Sequence, residues 1–185
     1  FKKLGGTVEV DETFIGGKAR NMHAGKRKIR GSGIVGKIAV MGLLERHGKA
    51  RAMVVKNTKR KTLRPHIDEH VERGAEVHTD AHPSYDRLST DYVHKVIDHA
   101  EAYAKDNVHT NGLENFWSLL KRSIHGTYIS VEPFHLFRYL DEQSFRFNER
   151  DDTDLERFVK VTQEVVDRRL TYSALTGKDV APATT

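Results

Sequence analysis

The first half of the chain reads as strands interrupted once by a helix, and that order leaves few folds open. Val8, Val10, Thr13, Phe14 and Ile15 mark a β-rich opening segment, closed by Gly16 and Gly17. Two more strands follow over roughly 35–44 and 50–55, and Gly48 in the intervening ERHGK turns them into a hairpin. Over 61–73 the pattern changes: Leu63, Ile67 and Val71 recur at four-residue spacing, the mark of an amphipathic helix, with Gly74 as its stop. The short strand AEVHTD then ends at Asp80, and Pro83 breaks regularity before a helical turn over 85–88. A last strand spans 92–97, and 98–108 reads as loop. Helices are predicted over 111–124, about 133–147 and 154–168, while the small, polar tail from Tyr172 is expected to fray. A hairpin joined to a parallel strand through a helical crossover predicts an α/β fold, a mixed sheet flanked by helices rather than a doubly wound one.

The 185 residues are the length of one ordinary domain. That domain is expected over 1–172, with 173–185 as a disordered tail. A composition of 37% hydrophobic and 31% charged residues describes a soluble globular protein, and no apolar run is long enough to span a bilayer. No signal peptide precedes the first strand, so a cytoplasmic protein without a membrane partner is expected. The chain opens at Phe1 rather than Met and is expected to be a piece of a longer protein. With no cysteine, disulfides and thiolate zinc sites are excluded within these residues.

The net charge of +5 and pI near 9.4 suit a polyanionic partner without demanding one. Much of the excess lies in the glycine-rich segment KARNMHAGKRKIRGSG, a solvated loop or hairpin tip. Lys26, Arg27, Lys28 and Arg30, joined by Lys59 and Arg60, are candidates for phosphate contacts. Contacts of that kind supply affinity and position but no sequence choice.

Three carboxylates lie where such a fold can gather them: Asp11 in VEVDETF, Asp80 ending AEVHTD, and Glu114 near the start of a helix in TNGLENFWSLLKR. Phosphodiester cleavage and strand transfer need the attacking and leaving oxygens stabilised together, which two divalent ions about 4 Å apart can do. Mg²⁺ takes carboxylate oxygens, and clustered carboxylates repel one another without a cation. Each acid also has a plainer reading. Asp11 fits the exposed face of an edge strand, Asp80 fits a turn, and Asn111-x-x-Glu114 has the form of a capping box.

Helix geometry adds a partner. At about 100° per residue, Glu114 and Lys121 differ by only about 20° and share a stripe. Leu113, Phe116, Trp117, Leu120 and Ile124 fill the adjoining arc, so Trp117 is expected in the core rather than stacking on bases. His78, His82, His99 and His109 flank the proposed site. A His-rich zinc site is open to them, but no His-x-x-x-His pair on a clear helix is read in its support, and His109 is the candidate to touch substrate or support an acid.

VEVDETFIGG, VHTDAHPSYDRL and HTNGLENFWSLLKRSIHGTY together resemble the DDE-type transposases of bacterial insertion sequences, specifically the ISXO-type group. The likeness runs from about Val8 to Arg150. Its most specific block holds His109-Thr110-Asn111, Glu114, Phe116-Trp117, Lys121-Arg122 and Gly126. The resemblance implies an RNase H-like fold shared with retroviral integrases, with Asp11, Asp80 and Glu114 as catalytic, metal-binding residues. It also implies two Mg²⁺ or Mn²⁺ ions and a substrate of transposon-end and target DNA. Lys121 looks like the basic partner of the triad, with Arg122 beside it on the DNA-facing side, and Asn111 is held in reserve for the third catalytic place. A homodimer or larger assembly on DNA follows from the family alone. Full-length relatives carry an N-terminal zinc-ribbon or helix-turn-helix region, so sequence-specific end binding is not expected of these residues. Rival readings are an RNase H-like nuclease without strand transfer, a catalytically dead DNA-binding relic, and a basic α/β domain acting in protein assembly.

Overall fold

The computed structural model describes residues 2–17, 34, 36–97 and 109–177. Five strands, β1 (Thr7–Ile15), β2 (Ile38–Glu45), β3 (Ala50–Val55), β4 (Glu76–Asp80) and β5 (Val93–Ile97), form one sheet in the order β3-β2-β1-β4-β5. β2 runs antiparallel to both β1 and β3, whereas β4 and β5 run parallel to β1 and β4 respectively. The crossover from β3 to β4 carries α1 (Arg60–His70). α2 (Asn111–Ser123) and α3 (Leu136–Asn148) follow the last strand. This is the α/β architecture with a mixed five-stranded sheet of the RNase H-like fold, as the sequence predicts.

Alternation along β1 sorts the two faces. Val8 and Val10 join Met41, Leu43, Val55 and Val77 in a core closed by Leu63 and Ile67 of α1. On the other face Ile15, Val40, Leu44 and Ala50 pack against Leu113, Phe116, Trp117 and Leu120 of α2 and Leu136 and Leu140 of α3. β2 is therefore apolar almost throughout, because both of its faces are covered.

Several boundaries differ from the sequence reading, for tertiary reasons. α1 ends at His70 rather than near Gly74. There the chain leaves the helix to meet the N-terminal segment: Leu4 N–H donates to His70 O, Glu72 N–H donates to Leu4 O, and Leu4 bridges Val71. The turn expected over 85–88 is two 3₁₀ turns, Pro83–Tyr85 and Leu88–Thr90, separated by Arg87 at φ 68°. α2 gives way at Ile124 to a π-helical turn through Tyr128.

The chain divides into two compact units, Phe1–Asn148 and Glu149–Thr185. The second holds α4 (Asp154–Val165) and α5 (Tyr172–Thr176). α4 opens on a capping box, Thr153 with Glu156. α5 forms where fraying is expected, capped by Thr171 and closed by Gly177 at φ 70°. Among the described residues no helix is long and apolar enough to cross a membrane.

Candidate active site

The α2-facing side of the sheet is apolar only on the β2 and β3 half. On β1 and β4 the same face presents Glu9, Asp11, Glu76, His78 and Asp80. α2 covers the apolar half, so its margin runs along the acids.

Register places the first two. Thr7 stands opposite Glu76 and Glu9 opposite His78, an offset of 69 positions. Asp11 and Asp80 are separated by the same 69, and each lies two positions past the last paired residues, Glu9 and His78, on the same face of adjacent parallel strands. β1 is the central strand, which overturns the edge-strand reading of Asp11. Asp80 does also serve its turn, because its Oδ1 accepts the His82 N–H at 3.2 Å.

Asp11 is half-buried, and its carboxyl is held above the usual range, first by burial and then by the negative charges of Asp80 and Glu114. Those two charges act on Asp11 because α2 brings Glu114 to the same place. Trp117 Nε1 donates to Asp11 Oδ2 at 2.9 Å and partly offsets the rise. Trp117 is thus the core residue the sequence predicts, only 4% exposed. It is also the tether of Asp11, which the sequence reading missed.

Glu12 points to the opposite face, where it accepts a hydrogen bond from the buried Tyr85 hydroxyl. Burial, with Asp11 and Asp80 adding to it, pushes the Glu12 carboxyl up to about 7.

The capping-box reading of Glu114 does not hold. The residue before α2 is Thr110, whose side chain caps nothing, and Asn111 is the first helical residue. The donor at this end is satisfied from the sheet, since Leu113 N–H donates to Glu9 Oε2 at 3.0 Å. Glu114, Asn111 and Lys121 are exposed on the surface of α2, as is Arg122. Glu114 and Lys121 lie two turns apart, about 10 Å along the axis. His109 Nδ1 lies 3.4 Å from Glu9 Oε1, within ion-pair reach but out of hydrogen-bond alignment.

Lys59 and Arg60 are exposed at the start of α1. Ser84 Oγ donates to Thr58 O, which ties that helix start to the turn following Asp80. Lys26, Arg27, Lys28 and Arg30, like His99, lie outside the described residues. A second group of potential ligands sits on α1, where donor atoms of His66, Glu69 and His70 all lie within 4.8 Å of one another. It is the one such group among the described residues, and it corrects the expectation that no helix carries a His-x-x-x-His pair, since His66 and His70 stand four apart on α1.

A family model for the ISXO2-like transposase domain matches residues 3–148. The chain belongs to that family. The match ends where the first compact unit ends, and it takes in all three acids together with the helix that carries Glu114. An uncharacterized transposase-like protein of Haemophilus influenzae is 30% identical over 119 residues, which is 64% of this chain and 94% of that protein. Family membership carries the general expectations of a transposase domain, DNA binding and divalent metals among them.

Proposed function

We propose that this ISXO2-like transposase domain cleaves DNA strands at insertion-sequence ends and transfers them to target DNA, with Asp11, Asp80 and Glu114 as its acidic triad. The observation that carries the reading is that Asp11 and Asp80 follow directly on the paired stretch of two adjacent parallel strands, with the charges of Asp80 and Glu114 both acting on the Asp11 carboxyl.

The donor set fits divalent metal. Three carboxylates come from three elements, and the Asp11 and Glu12 carboxyls are both raised, first by burial and then by neighbouring negative charge. Hard, oxygen-only donors of this kind suit Mg²⁺ or Mn²⁺ rather than softer ions. Asp11 and Asp80 would hold one ion, and Glu114 would complete the shell of a second. Bound there, the pair would supply an activated water and stabilise the leaving oxygen.

The chain's own residues do the rest. Trp117 fixes the Asp11 carboxylate against the core, and the Asp80 carboxylate is oriented by the His82 N–H. Lys121 offers a cation for a phosphate two helical turns from Glu114, with Arg122 beside it. Lys59 and Arg60 extend the positive surface to the turn after Asp80. His109 and Asn111, at the start of α2, stand close enough in sequence to Glu114 to contact the same strand. The assembly on paired DNA ends is expected to be at least dimeric.

The test is cleavage of a labelled duplex bearing a cognate end, with Mg²⁺ or Mn²⁺. Asp11→Asn and Asp80→Ala should each abolish cutting and leave DNA binding within a few-fold of the parent. Cleavage retained in either variant would sink the assignment. Joining of a pre-cut end then separates a transposase from a nuclease that only hydrolyses.

A further inference from the structure

Two positions before Asp11 and Asp80, the same face of the sheet carries a chain of ionic and hydrogen-bonded groups that is buried at Glu9 and His78. Lys95 Nζ lies 3.0 Å from Glu76 Oε2, and His78 Nε2 lies 2.6 Å from Glu76 Oε1. His78 Nδ1 is 3.2 Å from Arg46 Nη2. Arginine can only donate, so Nδ1 accepts and the His78 proton sits on Nε2, facing Glu76. Arg46 Nε reaches Glu9 Oε1 at 3.2 Å, and Arg46 Nη2 also donates to His109 O at 2.9 Å. The chain ends at α2, where Glu9 Oε2 receives the Leu113 N–H.

Glu9 is the hinge of this chain, and it is 1% exposed. A carboxylate so deeply buried is costly unless every lone pair has work. Here one oxygen takes an arginine and the other takes an orphan amide in the first turn of a helix that has no side-chain cap of its own. The helix is pulled close: a Cβ at Gly112 would stand 2.8 Å from Glu9 Oε2 and 2.4 Å from Leu44 Cδ2. Glu9 therefore fixes both the height and the rotation of the first turn of α2 over β1. Glu114 is the next residue after the amide that Glu9 holds, while Asp11 is two positions beyond Glu9 on the strand.

We infer that Glu9 is a positioning residue, which sets the distance of Glu114 from Asp11 and Asp80 and so builds the third side of the metal site. The inference rests on the acidic triad proposed above. It assigns to a buried acid outside the triad the task of coupling sheet to helix, with Arg46 paired to that acid and His109 O steadied by the same guanidinium.

A double-mutant cycle read by Mn²⁺ binding to the full chain tests this. Glu9→Ala should weaken Mn²⁺ by about 10- to 100-fold, the usual cost of losing an outer-shell partner. Glu114→Ala should weaken it comparably, and the double variant should be no weaker than Glu114→Ala alone, because Glu9 acts only through Glu114. Glu9→Gln keeps an acceptor for the Leu113 N–H and should recover part of the loss. It also stands in should Glu9→Ala fail to unfold cooperatively, with the same cycle run on it. Additive losses, or Mn²⁺ affinity within two-fold of the parent in a folded Glu9 variant, would overturn the inference. Asp11→Asn separates the two readings. If it too leaves Mn²⁺ binding unchanged, the triad itself falls and Glu9 with it; if it abolishes binding while Glu9 variants do not, Glu9 alone is refuted.

Discussion

At the scale of single residues, the site is a problem of unbalanced charge. Asp11 and Glu12 alternate to opposite faces of β1, and each takes a neutral side-chain donor, Trp117 for the first and Tyr85 for the second. Neither donor neutralises a carboxylate, so burial and mutual repulsion raise both groups. The consequence for stability has a definite sign. With metal chelated, Glu12 at about 7 in the folded chain against 4.5 unfolded favours folding fully below about pH 4.5 and loses that contribution as pH rises to about 7. The loss is on the order of 3 kcal/mol at most, less where water reaches the partly exposed group. Denaturant titrations in EDTA at pH 5 and pH 8 should show it, and Glu12→Gln should flatten the difference; an unchanged slope would contradict the account. Trp117→Phe keeps the ring's packing and removes the Asp11 hydrogen bond, at a cost of about 1 kcal/mol. It should also weaken Mn²⁺ binding, which titration of the folded variant would register.

At the scale of elements, α2 is held on the sheet by glycines as much as by apolar side chains. Gly42 on β2 lies under Trp117, where a Cβ would stand 2.5 Å from Trp117 Cζ2. Gly112 lies under the first turn, against Leu44 and Glu9. Gly112→Ala should push that end of α2 outward and cost about 1–3 kcal/mol, the range for overpacking a filled site. Thermal unfolding would measure the loss, and an unperturbed melting temperature would show that the helix start is freer than its contacts imply. The stripe that joins Glu114 to Lys121 was legible from 3.6-residue periodicity alone. The true cap of the helix was not, because Glu9 is 104 positions from Leu113 and only the fold makes them neighbours. A local pattern, Asn111-x-x-Glu114, stood in its place and proved to be one residue out of register with the helix start.

At the scale of the whole molecule, the charge excess and the sheet order set what the protein meets. With a net charge of +5, binding to duplex DNA should weaken steeply with salt. Changing Lys59 and Arg60 together to alanine should reduce the slope of log K against log salt by about 2, near 0.9 for each phosphate no longer neutralised. Filter binding across a salt series would read this, and an unaltered slope would remove those residues from the DNA surface. The two compact units give the chain a second character beyond the sheet. α4 in Glu149–Thr185 leaves Leu155 and Phe158 largely exposed, whereas the aromatic rings of α2 are buried in the first unit.

The sequence by itself determined the order of elements, the placing of the three acids on two strands and a helix, and the stripe on α2, since each depends on residue type and on spacing within one segment. The separation of 69 positions between Asp11 and Asp80 was also visible, but its meaning was not. Only the β1–β4 register, which has the same offset at Glu9 and His78, brought the two acids to the ends of adjacent strands. The tertiary structure likewise decided that β1 is central, that Trp117 tethers Asp11, and that Glu9 caps α2. Those are contacts between segments far apart in the chain, formed when burial on both faces of the sheet fixes which side chains must find their partners across it.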